Sequence, residues 1–278
     1  MILSIASGKG GTGKTTVAVN MALSLKDVQL LDCDVEEPNV HLLLPHETNE
    51  EKPVYVSTPQ VNEELCDHCG KCSEFCEFNA LFVTPEKVLF FPELCHSCGG
   101  CLLVCPKNAI TEKNVQIGVV KKGAAEGMEL VYGELNVGEP MSIPVIREVK
   151  KQIRSNKTVI IDSPPGASCP VIESVHGSDY CLLVSEPTPF GLHDLRIMVK
   201  ILEALGIPFG VVINRAGIGD RKIYDFCEEK GVPILFEIPF QREIAELYSR
   251  GIPFVVDMPE WKRTFQLLMD DIKGCMES

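Results

Sequence analysis

Eight of the chain's thirteen cysteines lie between positions 66 and 105. They run Cys66-x2-Cys69-x2-Cys72-x3-Cys76, then Cys95-x2-Cys98-x2-Cys101-x3-Cys105-Pro106. In a reducing compartment, thiols this dense bind metal rather than form disulfides. Structural zinc takes its thiols as two spaced pairs. Each half here is instead a triplet with a fourth cysteine trailing, a pattern that suits iron–sulfur cubes. The halves are a repeat: segment 62–81 returns as 91–110 at an offset of 29 residues. Glu64-Leu65-Cys66 matches Glu93-Leu94-Cys95, and Asn79-Ala80-Leu81 matches Asn108-Ala109-Ile110. A duplicated unit implies two sites of one kind.

A second group of residues suits phosphate. Gly8-Lys9-Gly10-Gly11-Thr12-Gly13-Lys14-Thr15-Thr16 fits G-x4-G-K-[ST]. Glycines let backbone N–H groups converge on phosphate oxygens, and a following helix N-terminus adds partial positive charge. Lys14 is expected to reach the β- and γ-phosphates, and the Thr15 hydroxyl to ligate Mg²⁺.

The elements around these motifs read as an α/β fold. A short apolar run, Met1–Ala6, precedes the glycine loop, and Lys14–Leu25 follows with Val17, Met21, Ala22 and Leu25 on one helical face. Val28–Asp32 reads as a buried strand, giving a β–loop–α–β opening. Strands are expected at Val115–Val120, Glu129–Leu135, Thr158–Ile161, Tyr180–Val184, Phe209–Ile213 and Ile234–Ile238. Helices are expected at Ile143–Ile153 and near 191–205, 221–230, 241–249 and 260–273. Residues 45–60 read as an aperiodic, proline-punctuated connection. The domains expected are therefore 1–58 plus 113–278, folding together around an insert at 59–112.

The run with two lysines, Lys9 and Lys14, resembles the deviant Walker A motif of the MinD/ParA/nitrogenase-iron-protein superfamily. Leu30-Leu31-Asp32-Cys33-Asp34 resembles its first switch. Val159-Ile160-Ile161-Asp162-Ser163-Pro164-Pro165-Gly166 resembles Walker B and the second switch, and Val212-Ile213-Asn214-Arg215 the adenine-side strand end. The resemblance implies a P-loop NTPase with a mostly parallel sheet flanked by helices, acting as a slow, partner-stimulated ATPase that dimerises with nucleotide. It implies that Lys9 reaches across the dimer to the partner's nucleotide and shares catalysis with Lys14 and Asp34, with Asp34 placing the attacking water. It also implies a Mg²⁺ site at Thr15, Asp34 and Asp162, a γ-phosphate sensor at Gly166, and an adenine pocket at Asn214 and the backbone near Pro239. Phosphoryl transfer is mostly positioning and charge neutralisation, so these are the parts it needs. Asp32 reads as a strand-end cap.

The cysteine segment resembles a bacterial two-cluster ferredoxin, an α+β insert of about 50 residues. In that pattern each triplet holds three irons of one cube, and the trailing cysteine leaves on a short helix toward the other. One [4Fe–4S] cluster is thus expected on Cys66, Cys69, Cys72 and Cys105, the other on Cys76, Cys95, Cys98 and Cys101. The first half has Cys76-Glu77 where the second has Cys105-Pro106, and the carboxylate is expected to lower the potential of the cluster beside it. His68 and His96 read as surface residues of the binding loops. Among the other cysteines, Cys33 and Cys181 read as buried strand residues, and Cys227 and Cys275 as incidental helical ones. Cys169 lies seven residues after Asp162, the offset of a cluster cysteine in the nitrogenase iron protein. The second interface cysteine of that protein has no counterpart in 113–161, and the ATPase part has no C-x2-C pair of the cluster-carrier type.

Composition narrows the function classes. The net charge of −13 argues against nucleic-acid backbone binding, which needs a basic surplus. No run approaches about 18–20 apolar residues, so no membrane span is expected. No basic, apolar leader precedes the glycine loop, so a cytoplasmic location is expected. The tail from Glu260 balances Lys262, Arg263 and Lys273 against Glu260, Asp270, Asp271 and Glu277, which does not favour a membrane-binding helix. No amidotransferase nucleophile arrangement is present. The function expected is coupling of ATP state to electron transfer. The alternatives are an iron–sulfur or metallocluster assembly factor and a MinD-type positioning protein. Residues 59–112 carry Lys71, Lys87 and Lys107 against eight carboxylates, so a redox or metallocluster partner with a basic face is expected.

Overall fold

The computed structural model describes residues 1–277, the side chains of Cys275 and Glu277 excepted, so the expectations for those two side chains lie outside the described residues. The chain opens with β1 (Ile2–Ala6), α1 (Lys14–Ser24) and β2 (Val28–Asp32). A short helix α2 (Val40–Leu43) leads to β3 (Glu47–Val61). The cysteine segment holds α3 (Lys71–Phe75), the hairpin β4 (Leu81–Val83) and β5 (Val88–Phe90), and α4 (Gly100–Leu103). The chain returns through β6 (Ile110–Ala125) and β7 (Met128–Leu135), followed by α5 (Ile143–Lys150), β8 (Thr158–Asp162), α6 (Cys169–Val175) and β9 (Tyr180–Ser185). It ends with α7 (Pro189–Leu205), β10 (Phe209–Ala216), α8 (Lys222–Lys230), β11 (Ile234–Pro239), α9 (Arg242–Ser249), α10 (Phe254–Asp257) and α11 (Glu260–Glu277).

Among the described residues nine strands form one sheet, in the order β11-β10-β9-β1-β8-β2-β7-β6-β3. Pairing is parallel from β11 to β7 and antiparallel for β6 and β3. Helices cover both faces of the parallel part, which is why its strands read as unbroken apolar runs. Leu30 packs on the α1/α11 side while its neighbour Leu31 packs on the α5 side. In β10, Val212 faces one layer and Val211 and Ile213 the other. All nucleotide-type motifs lie where this sheet's parallel strands end. Open parallel sheets bind ligands at that rim.

The stretch expected to be aperiodic is a strand. β3 pairs with β6 from Glu47↔Ala124 to Val61↔Ile110, making a long two-stranded ribbon at the sheet edge. An edge strand tolerates Pro53 and Pro59, and only Val54, Val56 and Thr58 alternate into the core, so the two-residue period is short and punctuated. The pairing runs past 59 and 112, the expected ends of the insert, to Val61 and Ile110. Beyond it the segment 62–109 packs on a small core of Cys72, Leu81, Cys101 and Ile110. Helix α6, which starts seven residues after Asp162, is not among the helices expected from the sequence; a glycine- and proline-rich loop hides its start at Cys169-Pro170.

Candidate nucleotide and metal sites

The glycine loop leaves β1 and enters α1 with Gly13 at φ +95°, a left-handed backbone that L side chains avoid. Gly8 sits against the backbone of Asp194 in α7, too close for a Cβ. Lys14 is 5% exposed and faces two carboxylates, Asp34 and Asp162. Burial pushes the Asp34 carboxyl up to about 7, with Lys14 pulling it down and Asp162 pushing it further up. Asp32 and Asp162 are also raised, chiefly by burial, and Asp162 adds to the rise at Asp32. The Thr15 hydroxyl donates to Asp162 Oδ2 at 2.6 Å. The other oxygen, Asp162 Oδ1, is buried with no hydrogen-bond partner among the described residues, and so are Thr12 Oγ1 and Ser163 Oγ. Buried polar atoms are normally satisfied, so three orphans around one loop mark the place of a polar ligand. The donor set, two carboxylates and a hydroxyl, fits a hard cation such as Mg²⁺.

Asp32 is fully buried and accepts backbone N–H bonds from Asp34 (3.0 Å), Asn39 (3.0 Å) and Val40 (3.1 Å). It ties down the loop after β2, as a strand-end cap does. Gly166 has φ +99° and its N–H donates to Ser7 O at 3.1 Å, which stitches the second switch to the glycine loop. Asn214 Nδ2 donates to Thr12 O at 2.7 Å, and Pro239 pairs with Ala216 one strand over. Asn214 and Pro239 thus share a rim beside the loop, with the Asn214 side chain turned under it.

Lys9 engages a residue that the sequence reading missed. Its Nζ pairs with the carboxylate of Glu186, just past β9, and the other carboxylate oxygen takes Arg215 at 2.8 Å. Glu186 is 6% exposed; burial alone would raise its carboxyl, but Lys9 and Arg215 together hold it below the usual carboxylate value. An acidic residue directly after the buried run Tyr180–Ser185 was the available signal. Within the single chain, then, Lys9 points to Glu186.

The cysteine end shows the repeat in its backbone. His68 and Ser97, Gly70 and Gly99, and Asn79 and Asn108 all have positive φ, each pair at the 29-residue offset. Ala80 N–H meets Cys76 Sγ at 3.4 Å, and Ala109 N–H meets Cys105 Sγ at 3.3 Å. Cys66, Cys69, Cys72 and Cys105 line one cavity. Cys76, Cys95, Cys98 and Cys101 line a second, larger one with Phe75, Phe78 and Ser97. All eight are free thiols. Burial first, and neighbouring thiols second, raise Cys101 to about 11. Cys72 is raised by burial, with Cys66 and Cys105 adding to it. Four thiols converging on one cavity suit a thiophilic metal, which relieves that repulsion.

His68 pairs with Glu63 at 3.0 Å, and His96 stacks on Phe78 with ring centroids 3.7 Å apart. Cys33, Cys181 and Cys227 are buried, and burial raises their thiols, while Cys169 is exposed at the start of α6. No helix among the described residues is long and apolar enough to cross a membrane.

Residues 3–254 match the model of the CobQ/CobB/MinD/ParA nucleotide binding domain. The chain belongs to this family. It is a MinD/ParA-like nucleotide-binding ATPase in fold and loop. It is similar to an uncharacterized protein of Methanocaldococcus jannaschii, at 33% identity over 92% of this chain and 91% of the relative. It is 25% identical to an iron–sulfur cluster carrier protein of Pyrococcus abyssi over 95% of this chain and 83% of that one. Among solved structures, the septum site-determining protein MinD with Mg-ADP from Pyrococcus horikoshii shares the fold. The TM-score is 0.60 at 23% identity, covering 99% of this chain and 98% of that one.

Proposed function

We propose that this chain is an ATPase whose nucleotide state governs electron transfer at an inserted two-cluster, ferredoxin-like module. The observation that carries the reading is the grouping of eight thiols into two sets of four, at the end of a ribbon continuous with the nucleotide-binding sheet. A [4Fe–4S] cube on each set supplies one-electron chemistry. Cys66, Cys69, Cys72 and Cys105 hold one, and Cys76, Cys95, Cys98 and Cys101 the other.

At the rim, Lys14 and the backbone of Gly8–Thr16 cradle the phosphates of ATP. Thr15, Asp34 and Asp162 hold Mg²⁺, Asp34 also orients water, and Gly166 senses the γ-phosphate. Asn214 and Pro239 frame the adenine. ATP draws Lys9 from Glu186 toward the nucleotide of a second copy, closing a homodimer. The first switch connects to the ribbon through side chains. The loop that Asp32 caps leads into α2, where His41 stacks on Tyr132 of β7, centroids 5.1 Å apart at 14°. Tyr132 in turn meets His46 and Thr48 at the root of β3 through its hydroxyl, at 3.3 and 3.4 Å. In ATP-dependent sedimentation the parent chain forms dimers and Lys9→Ala remains monomeric; dimers surviving that change sink the role given to Lys9.

A second reading, cluster assembly or delivery, is favoured by the name of the Pyrococcus abyssi relative. Complete four-thiol ligation supports electron transfer, since donation works through labile or shared ligands. Mixing the reduced protein and ATP with an apo-acceptor separates the readings. Transfer of iron without redox change supports delivery and removes our proposal.

A further inference from the structure

The two thiol cavities share a backbone but differ in the donors that face them. In the first half Asp67 Oδ1 accepts the N–H of Cys69 at 3.3 Å, and His68 is taken by Glu63. At the matching place in the second half, His96 stacks on Phe78 and Ser97 replaces His68. The Ser97 N–H donates to Cys95 Sγ at 3.4 Å. The Ser97 side chain lines the second cavity, and its Oγ is buried with no hydrogen-bond partner among the described residues. A buried hydroxyl without a partner costs free energy unless something in the cavity accepts its proton. The first cavity's own counterpart, His68, is already paired.

We infer that the Ser97 hydroxyl donates a hydrogen bond to a sulfur of the cube held by Cys76, Cys95, Cys98 and Cys101, and thereby raises the reduction potential of that site alone. This rests on the two-cube reading above. The reason is electrostatic. An added electron puts negative charge on the sulfurs, so a donor stabilises the reduced form more than the oxidised one. Glu74, Glu77 and Glu112 line the same cavity and act the other way. All three are exposed, so water screens them, whereas the hydroxyl acts at contact and out of water. Ser97 is a positioning residue here, since the cysteines alone supply ligation.

The test uses the full chain, reconstituted anaerobically with iron and sulfide and titrated by spin resonance. In Ser97→Ala one of the two midpoint potentials falls and the other stays, with iron content equal to the parent. Ser97→Gly, which suits the left-handed backbone at Ser97 but lacks the hydroxyl, falls like Ser97→Ala. The Gly variant decides the matter if the Ala variant loads poorly. Both midpoints unchanged, or both shifted together, overturns the inference. A parent chain that takes up no cubane iron overturns the two-cube reading itself, which is a separate result.

Discussion

The rim of the sheet and the tip of the ribbon are built on opposite plans. At the rim, groups from five distant segments meet: the glycine loop, the end of β2, the end of β8, Glu186 after β9, and Asn214–Arg215. They are held by a sheet buried on both faces, with fully buried side chains such as Phe254 and Phe265 behind it. At the tip, all eight thiols come from one contiguous stretch, and the core beneath them is four residues, two of them cysteines. The rim is therefore preformed without a ligand. On the two-cluster reading the tip is not: a core that small leaves much of the entropy of ordering its chain to be offset by bound metal.

The largest expected effect follows from that contrast. Stripping metal with a chelator should abolish hydrogen-exchange protection across 62–109 while β1, β8 and β9 keep theirs. Loss throughout would show that the regions fold as one. Next is Lys14→Ala, which should lower ATP hydrolysis by about 10²–10³-fold, the scale of removing one preorganised charge donor. The visible spectrum of the tip should be unchanged, and a changed spectrum would break the separation of the two sites. Phe265 is fully buried between Phe236 and Phe254, and Phe265→Ala should cost roughly 3–5 kcal/mol. Chemical denaturation should show that loss in the sheet's transition, with metal retained at the tip to the same denaturant concentration.

How legible each region was in the sequence follows the same contrast. The grouping of the cysteines was readable because spacing within one stretch sets it: Cys76 lines a cavity with the second triplet and Cys105 one with the first. The parallel strands were readable because burial on both faces leaves unbroken apolar runs such as Val159–Ile161. The ribbon was not, since an exposed edge strand carries charge and proline where a core strand carries valine. Glu186 was missed because its meaning depends on Lys9, distant in sequence and adjacent only across the finished sheet. Helix α6 was too short to carry a period.

Two smaller effects sharpen the comparison. Glu186→Gln frees Lys9 from its contact within the chain in both copies, so the ATP-dependent dimer should form at about thirtyfold lower concentration, the worth of two part-exposed ion pairs of roughly 1 kcal/mol each. Sedimentation across a dilution series measures it, and a weaker dimer would give Glu186 a role in the closed state. Glu77→Pro removes an exposed carboxylate beside the second cavity, so that site's midpoint should rise slightly while the first stays. Unchanged midpoints would remove Glu77 from the account.

The central claim is that the rim commands the tip. The direct measurement is the rate at which the reduced chain passes electrons to an oxidised redox protein with a basic docking face, compared in ATP, in ADP and without nucleotide, with iron assayed on both proteins. The account predicts a faster rate in ATP, loss of that difference in Lys14→Ala, and all iron remaining on this chain. Equal rates in all three nucleotide states, or iron appearing on the acceptor, would contradict it.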